Sequence, residues 1–405
     1  MNLSNFIAKN SISKKCLNVN YRKKLYKNYK KILNKVIIDT KNPKKTLNVL
    51  SHNFKFNFQR QDLKRFNTFN TIVLVGMGGS ILVSEVVHGF LRKKIKKNFY
   101  FFDNLNSKEI KEFKKKKLNK VLYIIISKSG NTIETLSNLF SFNIIKKNSK
   151  NIILVSERKD NLLFSLSKRF NLFYVEHKNF IGGRYSVFSE VGIIPAYLMG
   201  IDIFKLKSKK INFFKNKKEL FLKDSTIKLA CLLNSKKITN LIFLNYIPEL
   251  ENFLFWCQQL IAESLGKKGK GFLPVISNTP KDHHSLLQLY LDGPKDKLFH
   301  IFSLQEKTKV KIKTKQLITK LNFVHNKTPD QTKLAQKEAL VKPLAKNKTP
   351  FREFKVKKIN EETLGELFAY FILETVIIGR LTNICLLYTS DAADDSLRVD
   401  LGGRR

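Results

Sequence analysis

Thr71-Ile-Val-Leu-Val-Gly-Met-Gly-Gly-Ser80 decides the fold. A short, β-branched apolar run with no polar break reads as a strand buried on both faces, as strands of parallel sheets are. It ends in glycines and continues into a helical stretch, which is the start of a βαβ unit. Glycines at such a turn let backbone N–H groups approach an anion, and the helix N-terminus behind them favours negative charge. A dinucleotide-binding turn would need a third glycine where this chain has Ile81, so no nicotinamide or flavin cofactor is expected. Taken alone, the motif favours an anion site, with a plain tight turn as the competing reading.

The same pattern recurs downstream. Asn98–Phe102, Val121–Ile126 and Asn151–Val155 read as strands separated by helical stretches, which predicts a doubly wound parallel sheet. Upstream, residues 1–45 read as a basic, helical N-terminal segment. The Lys-rich stretch Lys205 to Lys218 reads as a connector or an exposed helix. Beyond it the alternation resumes with a strand at Asn240–Asn245, an amphipathic helix from Pro248 to Leu265 and an extended Gly271–Val275. A short helix at His283–Leu291 and a strand at Leu298–Phe302 follow, then a late apolar helix over 363–379 expected to pack across the second domain. The expectation is α/β: two doubly wound parallel-sheet domains with helices on both faces, residues 46–204 and 205–384.

Composition allows this. The chain has 405 residues, of which 43% are hydrophobic, enough for two cores and unlike a disordered chain. The first thirty residues hold no apolar signal-like region, so no signal peptide is expected. The most apolar stretch, Leu367 to Gly379, contains Glu374 and is too short to span a bilayer. Cys16, Cys231, Cys257 and Cys385 are scattered without a CxxC pair. They argue for a reducing, cytoplasmic setting and against a disulfide frame or zinc site. The net charge of +44 would attract anions, whether nucleic acid or phosphorylated metabolites. Mutational bias explains it more simply, since Lys, Asn, Ile and Phe are all abundant and the lysines form no single patch. Only weak, non-specific nucleic-acid retention is expected.

Four further segments carry chemistry. Ser127-Lys-Ser-Gly-Asn-Thr132 follows a strand and offers three hydroxyls within six residues. Hydroxyls at helix starts are commonly N-caps, but a cap needs one, and three make a cradle for phosphate oxygens. Gly182-Gly-Arg-Tyr-Ser186 suits an arginine held close to a ligand, and equally a surface turn with a paired arginine. Gln259 and Glu263 share one helix face, and a carboxylate near a helix end among apolar neighbours can serve as a general base, although most such glutamates are simply solvated. In Asp282-His283-His284 the histidines point apart, so at most one serves a given site. No metal-ligand spacing surrounds them, and proton transfer is the better functional reading.

Together these segments resemble the phosphoglucose isomerase family. The matching pieces are VGMGGS (75–80), SKSGNTIET (127–135), GGRYSVFSEVG (182–192), QQLIAESLGK (258–267) and KDHHSLLQLYLDGP (281–294), in the family's order. The resemblance implies two sugar-isomerase domains, a cytoplasmic homodimer in glycolysis and gluconeogenesis, and interconversion of glucose 6-phosphate and fructose 6-phosphate through a cis-enediol. It implies that Gly79, Ser80, Ser127, Lys128, Ser129 and Thr132 bind the phosphate region, with Gly183 and Gln259 also at the substrate. Arg184 would stabilise the enediolate and Glu263 would act as the base. His284, which directly precedes the SxxQL pattern, would open the ring from the partner subunit. No metal, nucleotide or redox cofactor is implied.

The chain departs from the family at its end. A catalytic lysine expected in a segment of the form FDQxxVExxK does not follow Ile384. Residues 385–405, CLLYTSDAADDSLRVDLGGRR, lose the lysines frequent upstream and resemble translated adapter sequence. They are expected to be non-native and to lie outside the core. Two other functions stay open: a dual-specificity isomerase that also takes mannose 6-phosphate, and a non-catalytic sugar-phosphate regulator. The regulator would have no need of Glu263 and Arg184.

Overall fold

The computed structural model describes residues 5–210, 212–214, 216–305, 310–314 and 319–385. The chain opens with β1 (Phe6–Ser11) and α1 (Val19–Lys41). It continues through α2 (Arg60–Lys64), β2 (Thr71–Gly76), α3 (Leu82–Phe90), β3 (Asn98–Phe102), α4 (Ser107–Lys115), β4 (Val121–Ile126) and α5 (Ile133–Phe142). Next come β5 (Ile152–Ser156), α6 (Leu162–Arg169), β6 (Phe173–Glu176), α7 (Glu190–Leu198) and α8 (Ile203–Lys207). Then follow α9 (Asn216–Ser235), β7 (Asn240–Asn245), α10 (Glu251–Leu265), β8 (Leu273–Asn278), α11 (His283–Leu291), β9 (Lys297–Leu304), α12 (Pro329–Lys346), β10 (Phe351–Val356) and α13 (Glu361–Leu381). The described residues form two compact units, one of residues 33–210 and one of residues 5–32 with 212–384.

In the unit of residues 33–210 the sheet order is β3-β2-β4-β5-β6, parallel throughout. Successive strand residues alternate between two cores. Val73, Val75, Tyr123, Ile125 and Leu154 pack with residues of α4, α5 and α6, and Ile72, Leu74, Leu122, Ile124 and Val155 pack with residues of α2 and α7. With both faces covered, a polar residue in the middle of β2 or β4 would be buried without a partner, which is why both strands are apolar past the opening Thr71 of β2. Each buried aliphatic side chain contributes about 1.5–3 kcal/mol. The chain leaves β2 for β3 on one side and returns to β4 on the other. The loops after β2 and β4 therefore flank the topological switch point, where ligands bind in such sheets.

The other unit has the order β1-β10-β9-β7-β8, with β1 antiparallel to β10 and the remaining pairs parallel. Here the reading of residues 1–45 as a helical segment holds over α1 and is corrected ahead of it. Phe6–Ser11 is an edge strand whose partner, Phe351–Val356, lies near the far end of the chain. Only Phe6 of β1 is buried, so the strand has no apolar alternation to read. One face of the sheet packs Ile242, Leu244, Phe299 and Ile301 against Tyr290, Leu340 and Leu344 of α11 and α12. On the other, Phe302 and Phe354 meet Phe371 of α13 at 6.1 and 5.4 Å between ring centroids.

Helix α13 is almost wholly buried, which explains its apolar run, and two of its buried glutamates are paired. Glu374 lies 3.0 Å from the Arg352 guanidinium and accepts from the hydroxyls of Tyr370 (2.6 Å) and Ser225 (2.7 Å). Glu366 holds Lys218 at 2.6 Å and the Asn5 N–H at 2.7 Å. Among the described residues no helix is long and apolar enough to cross a membrane. The expectation for the C-terminal tail falls, from residue 386 on, outside the described residues.

Candidate active site

Strand β4 carries Ser127-Lys-Ser-Gly-Asn-Thr132 to the switch point, and the Ser127 N–H, bonded to the Val155 carbonyl at 3.0 Å, fixes its start. The three hydroxyls converge. Ser127 Oγ is 2.8 Å from Thr132 Oγ1 and 3.4 Å from Ser129 Oγ, and Ser129 Oγ is 3.3 Å from Thr132 Oγ1. Thr132 stands at the N-cap of α5, yet its side chain makes no capping hydrogen bond. The cap explanation for these hydroxyls therefore fails at Thr132, and the group faces inward on itself as a ring of rotatable donors. Gly130 makes the turn with φ +73°, and a Cβ there would lie 2.0 Å from Asn161 Oδ1. Asn161 in turn caps α6 through the Phe164 N–H and donates to the Glu157 carbonyl, tying the cradle to the next helix.

Lys128 is not a loose cation. Its Nζ is 3.5 Å from the Glu157 carboxylate, which also holds Lys159 at 3.0 Å. The buried His177 ring bonds the Ile181 carbonyl through Nε2 at 3.1 Å. Burial, then the Lys128 charge, presses its pKa down to about 4, against the pull of that carbonyl.

The loop after β2 meets the arginine turn. A Cβ on Gly79 would lie 2.3 Å from the Gly183 carbonyl carbon, so only glycine lets these backbones touch. The turn Gly183–Phe188 is held internally by Ser186 Oγ donating to the Gly183 carbonyl at 2.6 Å. Arg184 is 2% exposed, and its guanidinium carbon stands 5.0 Å from the centre of the Tyr185 ring. The loop that carries Gly79 and Ser80 thus meets the turn that carries Gly183 and Arg184. The cradle follows β4, which pairs with β2 as far as Gly76 and Ile126.

The remaining sequence-derived residues belong to the other unit. Gln259 Nε2 donates to Glu263 Oε2 at 3.4 Å, and Gln259 Oε1 is buried without a partner. The neighbouring Gln258 is used by the scaffold, donating to the Pro274 carbonyl at 2.7 Å. The two histidines also part company. His283 Nε2 lies 2.9 Å from the Tyr246 hydroxyl, and burial, then His284, lowers its pKa while Asp282 opposes. His284 is exposed. Tyr246 and Glu157, which engage His283 and Lys128, were not legible as site residues, because neither adjoins its partner in sequence.

The family model for phosphoglucose isomerase matches residues 32–387. The glucose-6-phosphate isomerase of Methanocaldococcus jannaschii is 31% identical over 363 residues, 83% of this chain and 84% of the relative. That of Mycoplasmopsis pulmonis is 30% identical over 333 residues, 77% of this chain and 78% of the relative. Among solved structures, a hypothetical protein of Thermus thermophilus superposes with a TM-score of 0.81 at 21% identity, covering 98% of this chain and all of that one (100%). A glucose-6-phosphate isomerase of Chlamydia trachomatis does so with a TM-score of 0.76 at 15% identity, covering 97% and 87%. At these identities the structural likeness speaks for the fold, and the sequence matches speak for the family. The chain belongs to the phosphoglucose isomerase family.

Proposed function

We propose that this chain interconverts glucose 6-phosphate and fructose 6-phosphate. The observation that carries the reading is the ring of three hydroxyls at the switch point, beside a loop on which the arginine turn is packed backbone to backbone. Ser127, Ser129 and Thr132 bind the phosphate oxygens, with Lys128, Gly79 and Ser80 at the rim and Gly183 and Gln259 beside the sugar. His284 moves a proton between the ring oxygen and the anomeric hydroxyl, opening the ring. Its exposure, beside a His283 bound to Tyr246, supports its use by a partner subunit in a homodimer. Glu263 takes the proton from C2 and returns it to C1, so one base serves both carbons of a cis-enediol. Arg184, permanently charged, stabilises the negative oxygen that develops. The two units act as two sugar-isomerase domains, and the enzyme works in the cytoplasm.

The test is a coupled assay of fructose 6-phosphate conversion together with solvent-deuterium incorporation at C2, run on a chain with a complete native C-terminus. Glu263→Gln keeps shape and removes basicity, so both should fall by about 10²–10⁴-fold with substrate binding largely kept. Retained exchange in that variant would give the proton transfer to another residue.

A further inference from the structure

Lys210 has 0% relative exposure, a rare placement for a lysine without partners. Its Nζ donates to the carbonyls of Val49 and Ser51, each at 2.8 Å, and stands 5.1 Å from the centre of the Phe188 ring. Burial, then the charge of Lys207, presses its pKa down to about 6. These contacts join two segments. One is the 3-10 turn Thr46–Leu50, all of whose residues are buried. The other is Gly183–Phe188, the turn that carries Arg184, with Phe188 as its last residue. The first turn also reaches the chain just ahead of the second, where the Thr46 hydroxyl donates to the Phe180 carbonyl.

The arginine turn is thus flanked on both sides by one buried segment, while Gly79 closes against Gly183. Leucine or methionine would fill the space of Lys210 at lower desolvation cost. What lysine adds is direction, because an amine bonded to two carbonyls fixes where the Thr46–Leu50 turn lies against Phe188.

We propose that Lys210 is a positioning residue for the isomerase reaction: with Thr46 it braces the Gly183–Phe188 turn from Phe180 to Phe188 and so holds the Arg184 guanidinium where the enediolate charge develops. This rests on the enediolate-stabilising role of Arg184 proposed above. Preorganised charge of this kind acts on the transition state and not on ground-state binding. The brace should therefore affect kcat and leave KM alone, whereas a general loosening of the unit would disturb both.

The experiment uses the full chain with Lys210→Met and Thr46→Val. Turnover of fructose 6-phosphate is measured alongside calorimetric binding of two probes. One is a hydroxamate analogue of the enediolate that carries the phosphate, and the other is sorbitol 6-phosphate, which has the phosphate without the anion. Lys210→Met should lower kcat by about tenfold or more with KM within about threefold. Hydroxamate affinity should fall in parallel and sorbitol 6-phosphate affinity should hold. Thr46→Val should show the same pattern at smaller size, and it carries the test if Lys210→Met fails to fold. A folded variant with wild-type kcat and hydroxamate affinity overturns the brace. So does an equal loss of affinity for both probes. Absence of turnover in the wild-type chain together with no affinity for either probe would instead sink the isomerase reading itself.

Discussion

Replacing Gly79 by alanine probes the tight approach of the two loops that build the site. The added Cβ would stand 2.3 Å from the Gly183 carbonyl carbon, 2.6 Å from its oxygen and 2.7 Å from the Arg184 nitrogen. Non-bonded carbons settle at about 3.5–4.0 Å, so the loops must part by about 1 Å. All three obstructing atoms are backbone, and no rotamer change can relieve them. Overpacking of this kind costs about 1–3 kcal/mol, and each kcal/mol lowers Tm by about 2–4 °C in a unit of this size. The functional effect should be larger, because a displacement of about 1 Å at a positioned group costs about 10²-fold in rate. Gly183→Ala is the control for stability. A Cβ there meets its nearest atom, the Gly79 Cα, at 3.6 Å, an ordinary contact, so its Tm should stay near wild type. Thermal unfolding and the coupled assay read both quantities. Unchanged Tm and kcat/KM in Gly79→Ala, or a Gly183→Ala chain less stable than Gly79→Ala, would refute the packing argument.

Two further outcomes follow from the same unit. Ser129→Ala should weaken binding of 6-phosphogluconate by about 1.5–3 kcal/mol, the value of a hydrogen bond to a charged group, and unchanged calorimetric affinity in the Ser127, Ser129 and Thr132 triple-alanine chain would remove the cradle assignment. His177 has its pKa pressed from 6.5 to about 4 in the folded chain. As pH falls through about 6.5 the unfolded chain takes up this proton first. Stability is therefore lost between about 6.5 and 4, by about 3 kcal/mol in all. His177→Gln should flatten that part of the urea-unfolding profile, and an unchanged slope would exclude the assignment.

Strands β3, β4 and β7 and helix α11 coincide with the segments read from sequence, and β2 and β5 nearly so. Their residues are either buried on both faces or bounded by sharp turns, so composition alone marks them. β10 escaped because Phe-Arg-Glu-Phe-Lys-Val reads as a charged surface stretch. Its Arg352 is buried only because Glu374 and Tyr370, on α13, supply the partners, and no local pattern announces that pairing. The site divides the same way. The hydroxyl run Ser127–Thr132 is visible in sequence, since its members converge within one turn. Which glycine must be glycine is not visible, because the answer depends on Gly183 meeting Gly79 across 104 positions of chain. Likewise, the sequence motif favoured His284, while the physical ground for setting His283 apart is Tyr246, a residue of another loop.

The net charge of +44 also looks different once the cradle is in view. Phosphate recognition here is assigned to hydroxyls and backbone N–H groups fixed at a helix start, and the one lysine of the motif is held by Glu157. The buried lysine of the same unit, Lys210, bonds backbone carbonyls and not a ligand. Exposed lysines act over a Debye length of about 8 Å at physiological salt, so they can raise the local concentration of any anion but cannot distinguish a phosphate ester from another dianion. That discrimination needs donors whose spacing is set before the ligand arrives. In this chain that spacing is set by the junction of β4 with α5, by Gly130 packed on Asn161 and by the Asn161 bond to Glu157. The lysine excess and the specificity proposed for the site therefore have separate physical origins, the first spread along the chain and the second assigned to a few residues at the switch point.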